Sequence, residues 1–216
     1  MMRVTSYDWA PPFVQGLVRD LRVRWALEEA GLPHEVRIVR FGEQRSPEHL
    51  ARQPFGQIPV LEDDGVELFE SGAIVLHIGE RSEALLPRDP AARAHAIQWM
   101  FAALNSVEPA VAALAELDLL HAAEEWAKLR RPSLLERARG RLTALSARLG
   151  DREYLEGRFT AGDLLMTTVL RLLRHTEIVA ETPNLRAYQQ RCEARPAFAR
   201  ALAAHLDDFA RHAPAR

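Results

Sequence analysis

The spacing of hydrophobic positions changes near residue 85, and this change divides the chain into two predicted parts. Before it, short runs rich in β-branched residues alternate with segments whose apolar residues recur every three or four positions, which is typical of an α/β domain. After it, long segments rich in alanine, leucine and arginine keep a helical spacing and show no strand signal. We therefore predict an α/β domain at residues 1–84 and an all-helical domain at residues 88–216.

The first part predicts the element order β-α-β-α-β-β-α. Its first helix has apolar residues at i, i+3, i+4 and i+7 from Val23, and Gly31 supplies the stop signal. Two apolar runs around a turn rich in Asp and Gly predict a hairpin. The predicted elements are Arg3–Tyr7, a helix from Leu17, His34–Phe41, a short helix from Ser46, Ile58–Leu61, Val66–Phe69 and Ser71–Arg81.

The second part contains several helix start signals. A helix from Pro90 to about Leu120 is expected to bend at Pro109. Ser133–Glu136 and Thr160–Asp163 each read as a capping box that opens a helix. Pro183 and Pro196 introduce the last two predicted helices.

Charge and histidine spacing narrow the range of functions. The 216 residues include 28 Lys and Arg against 30 Asp and Glu, so the formal net charge is −2. This balance argues against a nucleic-acid partner, because phosphate contacts need a positive field. The eight histidines show no spacing typical of metal ligands, so we expect no metal.

The single cysteine and the N-terminal sequence indicate a cytoplasmic protein. Cys192 alone forms neither an intramolecular disulfide nor a Cys-x-x-Cys motif, which suits a reducing compartment. The first residues lack the basic-then-apolar layout of a secretion signal. No apolar run approaches the ~18 residues of a membrane span, so we expect no membrane partner.

The segment Gln57-Ile58-Pro59 at the head of a predicted strand allows two interpretations. Proline cannot donate to a sheet ladder, so Pro59 is either a simple edge proline or part of a cis peptide. A cis bond would turn the main chain of Ile58 outward to pair with an extended peptide ligand.

Glu70-Ser71 stands between a predicted strand and the next helix. Unpaired N–H groups at a helix N-terminus can hold a carboxylate, with the Ser71 hydroxyl as a further donor, and Glu70 could pair with a ligand ammonium. The alternative is that Ser71 only caps the helix and Glu70 favours its dipole.

Taken together, these features resemble a cytosolic glutathione transferase, and the resemblance covers nearly the whole chain. It rests on the order of the elements and on several segments. Those segments are Val23–Gly31, Gln57–Leu61, Glu70–Ile74, Phe159–Asp163 and Arg195–Phe198.

The resemblance implies a thioredoxin-like N-terminal domain, a helical C-terminal domain and a homodimer. It also implies glutathione as co-substrate, bound by the segment Gln57-Ile58-Pro59 and by Glu70 and Ser71. In that arrangement the Ile58 main chain, beside a cis Pro59, pairs with the cysteinyl part, while Glu70 and Ser71 hold the γ-glutamyl end.

The residue that activates the thiol departs from the family pattern. Many members carry Ser or Cys at the start of the first helix, but no Ser, Cys, Thr or Tyr lies between Ala10 and Arg24. Tyr7, at the end of the first strand, is one catalytic candidate, with a buried strand tyrosine as the alternative. Arg19 is the other, because a cation near a helix start stabilises a thiolate, although a surface arginine is the alternative.

Three aromatic residues are candidates for contacts with a small electrophilic substrate. Trp9 and Phe13 follow the first strand and could equally anchor the loop, whereas Trp99 on the long helix could equally pack a core. The expected reaction is conjugation or another thiolate-promoted transformation. The alternatives are a glutathione-dependent isomerase or dehalogenase, and a binding protein that has kept the fold without the chemistry.

Overall fold

The computed structural model describes residues 1–213 and arranges them as two compact units. One unit contains Met1–Leu85 together with residues 195–213, and the other contains Leu86–Ala194. The first is an α/β unit and the second is helical, so the predicted fold class is confirmed. The partition differs from the predicted ranges at the C-terminal end, which groups with the α/β unit.

A four-stranded sheet forms the centre of the first unit. Its strands are β1 (Met2–Tyr7), β2 (His34–Val39), β3 (Val60–Asp63) and β4 (Val66–Phe69). They lie in the order β2-β1-β3-β4; β1 is parallel to β2, and the other two pairs are antiparallel. The parallel pair and the β3–β4 hairpin are both as predicted, because a helix crosses between β1 and β2 while a short Asp-Gly turn joins β3 to β4.

The described residues also form nine α-helices. They are α1 (Asp20–Ala30), α2 (Pro47–Arg52), α3 (Ser71–Gly79), α4 (Pro90–Phe101), α5 (Glu108–Leu120), α6 (Glu125–Leu149), α7 (Ala161–Leu170), α8 (Pro183–Glu193) and α9 (Pro196–Arg211). Short 3₁₀ turns lie at Glu43–Arg45 and Arg171–Leu173, and a π-helical segment, Ala102–Val107, separates α4 from α5.

Helix α1 is the most deeply buried helix segment of the first unit, and α9 packs against it. Val23, Trp25 and Leu27 have no exposed surface. The Trp25 ring lies edge-on to Phe198 of α9, with 4.7 Å between ring centroids. This tertiary contact explains why the last helix joins the α/β unit, although its sequence spacing is helical like that of the second part.

Two helices of the second unit, α5 and α6, begin at positions that differ from the sequence prediction. The predicted capping box at Ser133 is wrong, because α6 begins at Glu125 and continues through Pro132. The Ser133 hydroxyl donates to the carbonyl oxygen of Arg130 (2.9 Å) within the helix. The helix expected to run from Pro90 to about Leu120 with a bend at Pro109 is instead interrupted by the π-helical segment Ala102–Val107, and Pro109 lies in the first turn of α5.

The predicted capping box at the start of α7 is confirmed. Asp163 Oδ2 accepts from the Thr160 backbone N–H (2.9 Å), and the Thr160 hydroxyl accepts from the Gly162 N–H (3.2 Å). A Cβ atom placed on Gly162 would lie 2.5 Å from Cβ of Trp99, so glycine is what allows α7 to approach α4 this closely.

Among the described residues, one helical stretch is long and apolar enough to cross a membrane. It is Pro90–Leu120, with a mean hydropathy of 1.2 and half of the window buried. The prediction that no apolar segment approaches the length of a membrane span is therefore wrong for this helical stretch. A buried core helix passes the same test of length and composition, so the observation is weak evidence for a membrane span.

Candidate functional site

The pairing register of the sheet brings three of the sequence-predicted segments to one end of it. Val60 pairs with Phe69, so the residues just before β3 and just after β4 lie next to each other. Leu61 pairs with Val4 in the antiparallel sense, so the end of β1 at Tyr7 points the same way. Ile58-Pro59, Glu70-Ser71 and Tyr7 thus belong to one edge of the α/β unit.

The Ile58-Pro59 peptide bond is cis, as one of the two interpretations of this segment required. Pairing of the Ile58 main chain with an extended ligand stays a prediction. Both side chains are buried, whereas Gln57 is exposed. The preceding loop is held by hydrogen bonds. The Gln57 carbonyl oxygen accepts from His49 Nε2 (2.7 Å), and the Gln57 N–H donates to Oε1 of Gln53 (3.2 Å).

Glu70 occupies an unusual backbone conformation at the N-terminus of α3. Its φ is 68° and its ψ is 112°, a combination that non-glycine residues rarely adopt. Glu70 is the N-cap residue, yet its side chain makes no capping hydrogen bond, and it is exposed. Ser71 is already the first helical residue, so the interpretation of Ser71 as the cap is wrong. The Glu70 carboxylate therefore accepts no hydrogen bond from the first N–H groups of its own helix.

Ser71 is buried, and its hydroxyl contacts a residue that sequence reasoning did not select. Arg22 Nη1 donates to Ser71 Oγ at 3.3 Å. Arg22 is itself buried on α1, so a guanidinium group lies beside the start of α3. A cation and a helix N-terminus next to each other favour a bound carboxylate.

Tyr7 is half-buried at the end of β1, with its ring 5.7 Å from that of Phe41 between centroids. Burial raises the pKa of the Tyr7 phenol above its ordinary value, the carboxylate of Asp20 raises it further, and Arg45 opposes the change. The phenol is therefore protonated at neutral pH. In that form it can donate a hydrogen bond and does not act as a base.

Arg19 lies at the N-cap position of α1 and is exposed. Its side chain makes no capping hydrogen bond. The backbone N–H groups of the first turn and the guanidinium are thus on the same end of the helix, as the sequence interpretation required.

The loop that carries Trp9 and Phe13 is ordered by its own hydrogen bonds. Asp8 Oδ1 accepts from the N–H groups of Trp9 (2.8 Å) and Phe41 (3.0 Å). Trp9 is partly buried, and Phe13 is 43% exposed. A contact of Trp9 or Phe13 with a second, apolar substrate stays a prediction.

Trp99 belongs to the second unit, where it is largely buried. Its indole Nε1 donates to Glu156 Oε1 at 2.7 Å. This placement fits the core-packing alternative, and a substrate contact for Trp99 stays a prediction. Within residues 1–213, no group of three or more His, Cys, Asp and Glu side chains is arranged to hold a metal ion.

Comparisons with known proteins match both parts of the chain to one protein family. The model of the glutathione S-transferase N-terminal domain matches residues 13–80, and that of the C-terminal domain matches residues 119–196. Glutathione S-transferase 4 of Zea mays is 34% identical over 208 residues, covering 90% of this chain and 89% of the relative.

Solved structures show the same fold. A glutathione transferase of Burkholderia graminis, crystallised with two glutathione molecules bound per subunit, is 29% identical with a TM-score of 0.81, and the match covers 93% of this chain and 87% of that one. Glutathione transferase F7 of Populus trichocarpa is 25% identical with a TM-score of 0.79, covering 97% and 99%. These matches confirm the resemblance, and the chain belongs to the glutathione S-transferase family.

Proposed function

We propose that this chain is an enzyme that binds glutathione at the sheet edge formed by Ile58-Pro59 and Glu70-Ser71, and uses its thiolate on a small electrophilic molecule. The observation that carries the proposal is the Glu70 backbone. A non-glycine residue with φ of 68° stores strain, and such strain is found preferentially where a ligand is held. A relative named as a glutathione S-transferase supports the same proposal, and so does a solved relative that was crystallised with glutathione.

Each group at this edge matches one part of glutathione. The exposed Glu70 carboxylate pairs with the γ-glutamyl ammonium, and Ser71 with the first N–H groups of α3 receives the γ-glutamyl carboxylate. The main chain at Ile58 pairs with the cysteinyl unit, beside Pro59 and next to Gln57. Arg22, which is hydrogen-bonded to Ser71, adds positive charge beside the proposed position of the γ-glutamyl carboxylate.

Tyr7 is the proposed activating residue. A protonated phenol at the end of β1 can donate a hydrogen bond to the sulfur and thereby stabilise the thiolate. Arg19 at the start of α1 is the second candidate, since its charge acts in the same direction. Trp9 and Phe13 provide apolar surface for the electrophile, and Trp99 is proposed as a further substrate contact.

A second candidate function follows from one observation. No hydroxyl or thiol side chain lies between Ala10 and Arg24, where many relatives keep the activating group. A chain that binds glutathione without transforming a substrate would show this pattern. Within the enzymatic proposal, isomerase and dehalogenase reactions are the alternatives to conjugation, and turnover of a panel of electrophiles distinguishes them from one another and from binding alone.

Calorimetric titration of glutathione into the Glu70→Ala variant tests the proposal. A hydrogen-bonded charge is worth about 1.5–3 kcal/mol, so we expect the affinity to fall roughly tenfold or more. The matched control is Glu67→Ala, which removes an exposed carboxylate on β4, three residues before Glu70, that pairs with Arg52. Its exposed ion pair contributes little, so affinity should be unchanged. Equal affinity of both folded variants and the unmodified chain would contradict the site.

A further inference from the structure

Two buried side chains hold the loop between α2 and β3, and neither of them belongs to the proposed glutathione site. His49 lies on α2, and Gln53 follows this helix as its C-cap residue. His49 Nε2 lies 2.7 Å from the carbonyl oxygen of Gln57. Gln53 Oε1 accepts from the N–H groups of Phe55 (2.7 Å) and Gln57 (3.2 Å). The N–H and the carbonyl oxygen of Gln57 are thus both bonded to side chains of one short segment.

The Gln57 carbonyl determines which ring nitrogen of His49 carries a proton. A carbonyl oxygen can only accept, so His49 must donate and Nε2 bears the hydrogen. The backbone of His49 is fixed as well, because its N–H donates to the hydroxyl of Ser46 (3.2 Å), the N-cap residue of α2. The donor therefore stands at a defined position of a capped helix.

The hydrogen bond from His49 sets the direction of the next donor along the chain. The carbonyl of Gln57 and the N–H of Ile58 belong to one peptide group, which is planar. The Gln57-Ile58 bond is trans. In a trans peptide the N–H points opposite to the carbonyl oxygen, so the Ile58 N–H points away from His49.

The Ile58 main chain is buried without a hydrogen-bond partner in the described part of the chain. Within residues 1–213, neither its N–H nor its carbonyl oxygen makes a hydrogen bond. Buried backbone N–H groups are bonded in the great majority of cases, because an unbonded one costs free energy. A donor with a fixed direction and no partner in the protein suits an acceptor from a bound molecule.

We propose that His49 is a positioning residue for glutathione binding. Through the Gln57-Ile58 peptide plane, it directs the Ile58 N–H toward the cysteinyl part of the ligand, and Gln53 steadies the same loop by accepting the Gln57 N–H. The inference rests on the proposed function, because the Ile58 N–H meets this acceptor only if glutathione binds at the sheet edge. His49 acts through the peptide group and is assigned no contact with the ligand.

Calorimetric titration of glutathione compares two replacements of His49. His49→Phe keeps a ring without a donor, whereas His49→Gln supplies an amide donor of similar reach. The loss of one hydrogen bond corresponds to about a three- to tenfold change in an equilibrium constant, so we expect the dissociation constant to rise by that factor in the Phe variant. The Gln variant should recover most of the loss. Equal dissociation constants of the folded Phe and Gln variants would overturn the proposal.

The matched control is Ala51→Gly, at an exposed position of α2. Glycine weakens the helix without removing a hydrogen bond to the loop, so the dissociation constant should change much less than in His49→Phe. An equal loss of affinity in these two variants would show that only the stability of α2 matters, and it would overturn the role of His49.

Amide hydrogen exchange, followed by NMR without glutathione, tests the physical step by itself. We expect His49→Phe to raise the exchange rate of the Gln57 amide at least about threefold, because the loop loses one of its two side-chain bonds. The Leu50 amide, which donates to the Ser46 carbonyl oxygen within α2 (2.9 Å), should keep its rate. Equal increases at Gln57 and Leu50 would indicate unfolding of the helix and would overturn the positioning role.

The unmodified chain decides the question if His49→Phe does not fold. Nitrogen chemical shifts of the neutral His49 ring should show the proton at Nε2, and the Ile58 amide signal should move when glutathione binds. A neutral ring protonated at Nδ1, or an Ile58 amide that does not respond to bound glutathione, would overturn the inference. If the unmodified chain binds no glutathione at all, the proposed function fails, while the exchange of the Gln57 amide still tests whether His49 holds the loop.

Discussion

Asp63 at the end of β3 links the sheet to α3 through charged side chains. It is buried, and its Oδ2 lies 2.8 Å from His77 Nε2 and 2.6 Å from Arg81 Nη2. The hydrogen bond with His77 and the charge of Arg81 outweigh burial and hold the pKa of Asp63 below its ordinary value. The ionised form is therefore favoured in the folded chain.

This pKa direction predicts how stability depends on pH. Because the folded-state pKa of Asp63 lies below the unfolded value of about 3.8, its contribution is present above that pH and is lost as the pH falls through the folded value. We expect urea unfolding to show a stability difference between the unmodified chain and Asp63→Asn at pH 7 that shrinks near pH 3. Asp64→Asn, at the exposed neighbouring residue, is the control. A difference that does not change with pH would contradict this account.

At the residue scale, the sequence indicates candidate residues when their backbone setting has a local signature. It does not indicate residues whose contacts are far away along the chain. Glu70-Ser71 and Ile58-Pro59 could be selected as candidates because strand ends, helix starts and X-Pro bonds have local signatures. Arg22 was missed because its contact with Ser71 spans 49 positions. In the Asp20 cluster, Asp20 and Arg24 of α1 lie against His205 and Asp208 of α9. Its only local signal is the i, i+4 spacing of Asp20 and Arg24, and nothing nearby in the sequence indicates His205.

Helix α7 depends on one carboxylate at its first turn. Asp163 accepts hydrogen bonds from the N–H groups of Leu155 and Thr160 (2.9 Å each) and from the Tyr188 hydroxyl (3.1 Å). Burial raises the pKa of Asp163, and these bonds partly offset the cost of the charge. All of these partners lie in the second unit.

Removal of this carboxylate should destabilise the second unit strongly. In Asp163→Ala the buried donors lose their acceptor and the capping box loses its N3 half, so we expect the free energy of unfolding to fall by at least about 2 kcal/mol. Chemical denaturation measures the change. Asp151→Ala, at an exposed position just after α6, is the matched control and should change it by less than about 0.5 kcal/mol. Equal changes would contradict the role of the capping box.

At the element scale, boundaries set by strong local chemistry were predicted correctly and those set by packing were not. The capping box at Thr160 and the left-handed Gly31 at the end of α1, with φ of 65°, fixed their helix ends as expected. Ser133 carried the same start signal, but α6 begins eight residues earlier. Buried positions such as Ala127 and Leu134 pack on one helix face across Pro132, which outweighs the local signal.

For the whole molecule, we propose a cytoplasmic homodimer, in which α3 and the stretch Pro90–Leu120 contribute apolar surface to the partner. Exposed aromatic side chains support an association. Phe55 and Phe69 are in ring contact at the surface of the first unit, and Phe101 is exposed on α4.

Light scattering at micromolar concentration tests the oligomeric state. We expect twice the mass of one chain, and the mass should not change on dilution across the micromolar range if the interface buries an area typical of stable dimers. The mass of a single chain would contradict the proposal. Burial in a dimer would also account for aromatic residues that are exposed in one chain.

The division of the chain shows what sequence patterning predicts at the largest scale. The change of spacing lies near residue 85, and the two compact units of the structure divide between Leu85 and Leu86. The position of α9 was beyond such reasoning, because helical spacing indicates a buried face and does not say which unit covers it. The Trp25–Phe198 contact and the buried Asp20 cluster decide it.

The most direct test of the central claim is the ultraviolet titration of the thiolate of glutathione bound to the unmodified chain. A cysteine-like thiol has a pKa near ~8.5, and each unit of decrease corresponds to about 1.36 kcal/mol of preference for the thiolate. We expect the bound thiol to titrate at least about one unit lower, and Tyr7→Phe to reverse more of this decrease than Arg19→Ala. Bound glutathione with an unshifted pKa would contradict an enzyme that activates the thiol and would favour the binding protein.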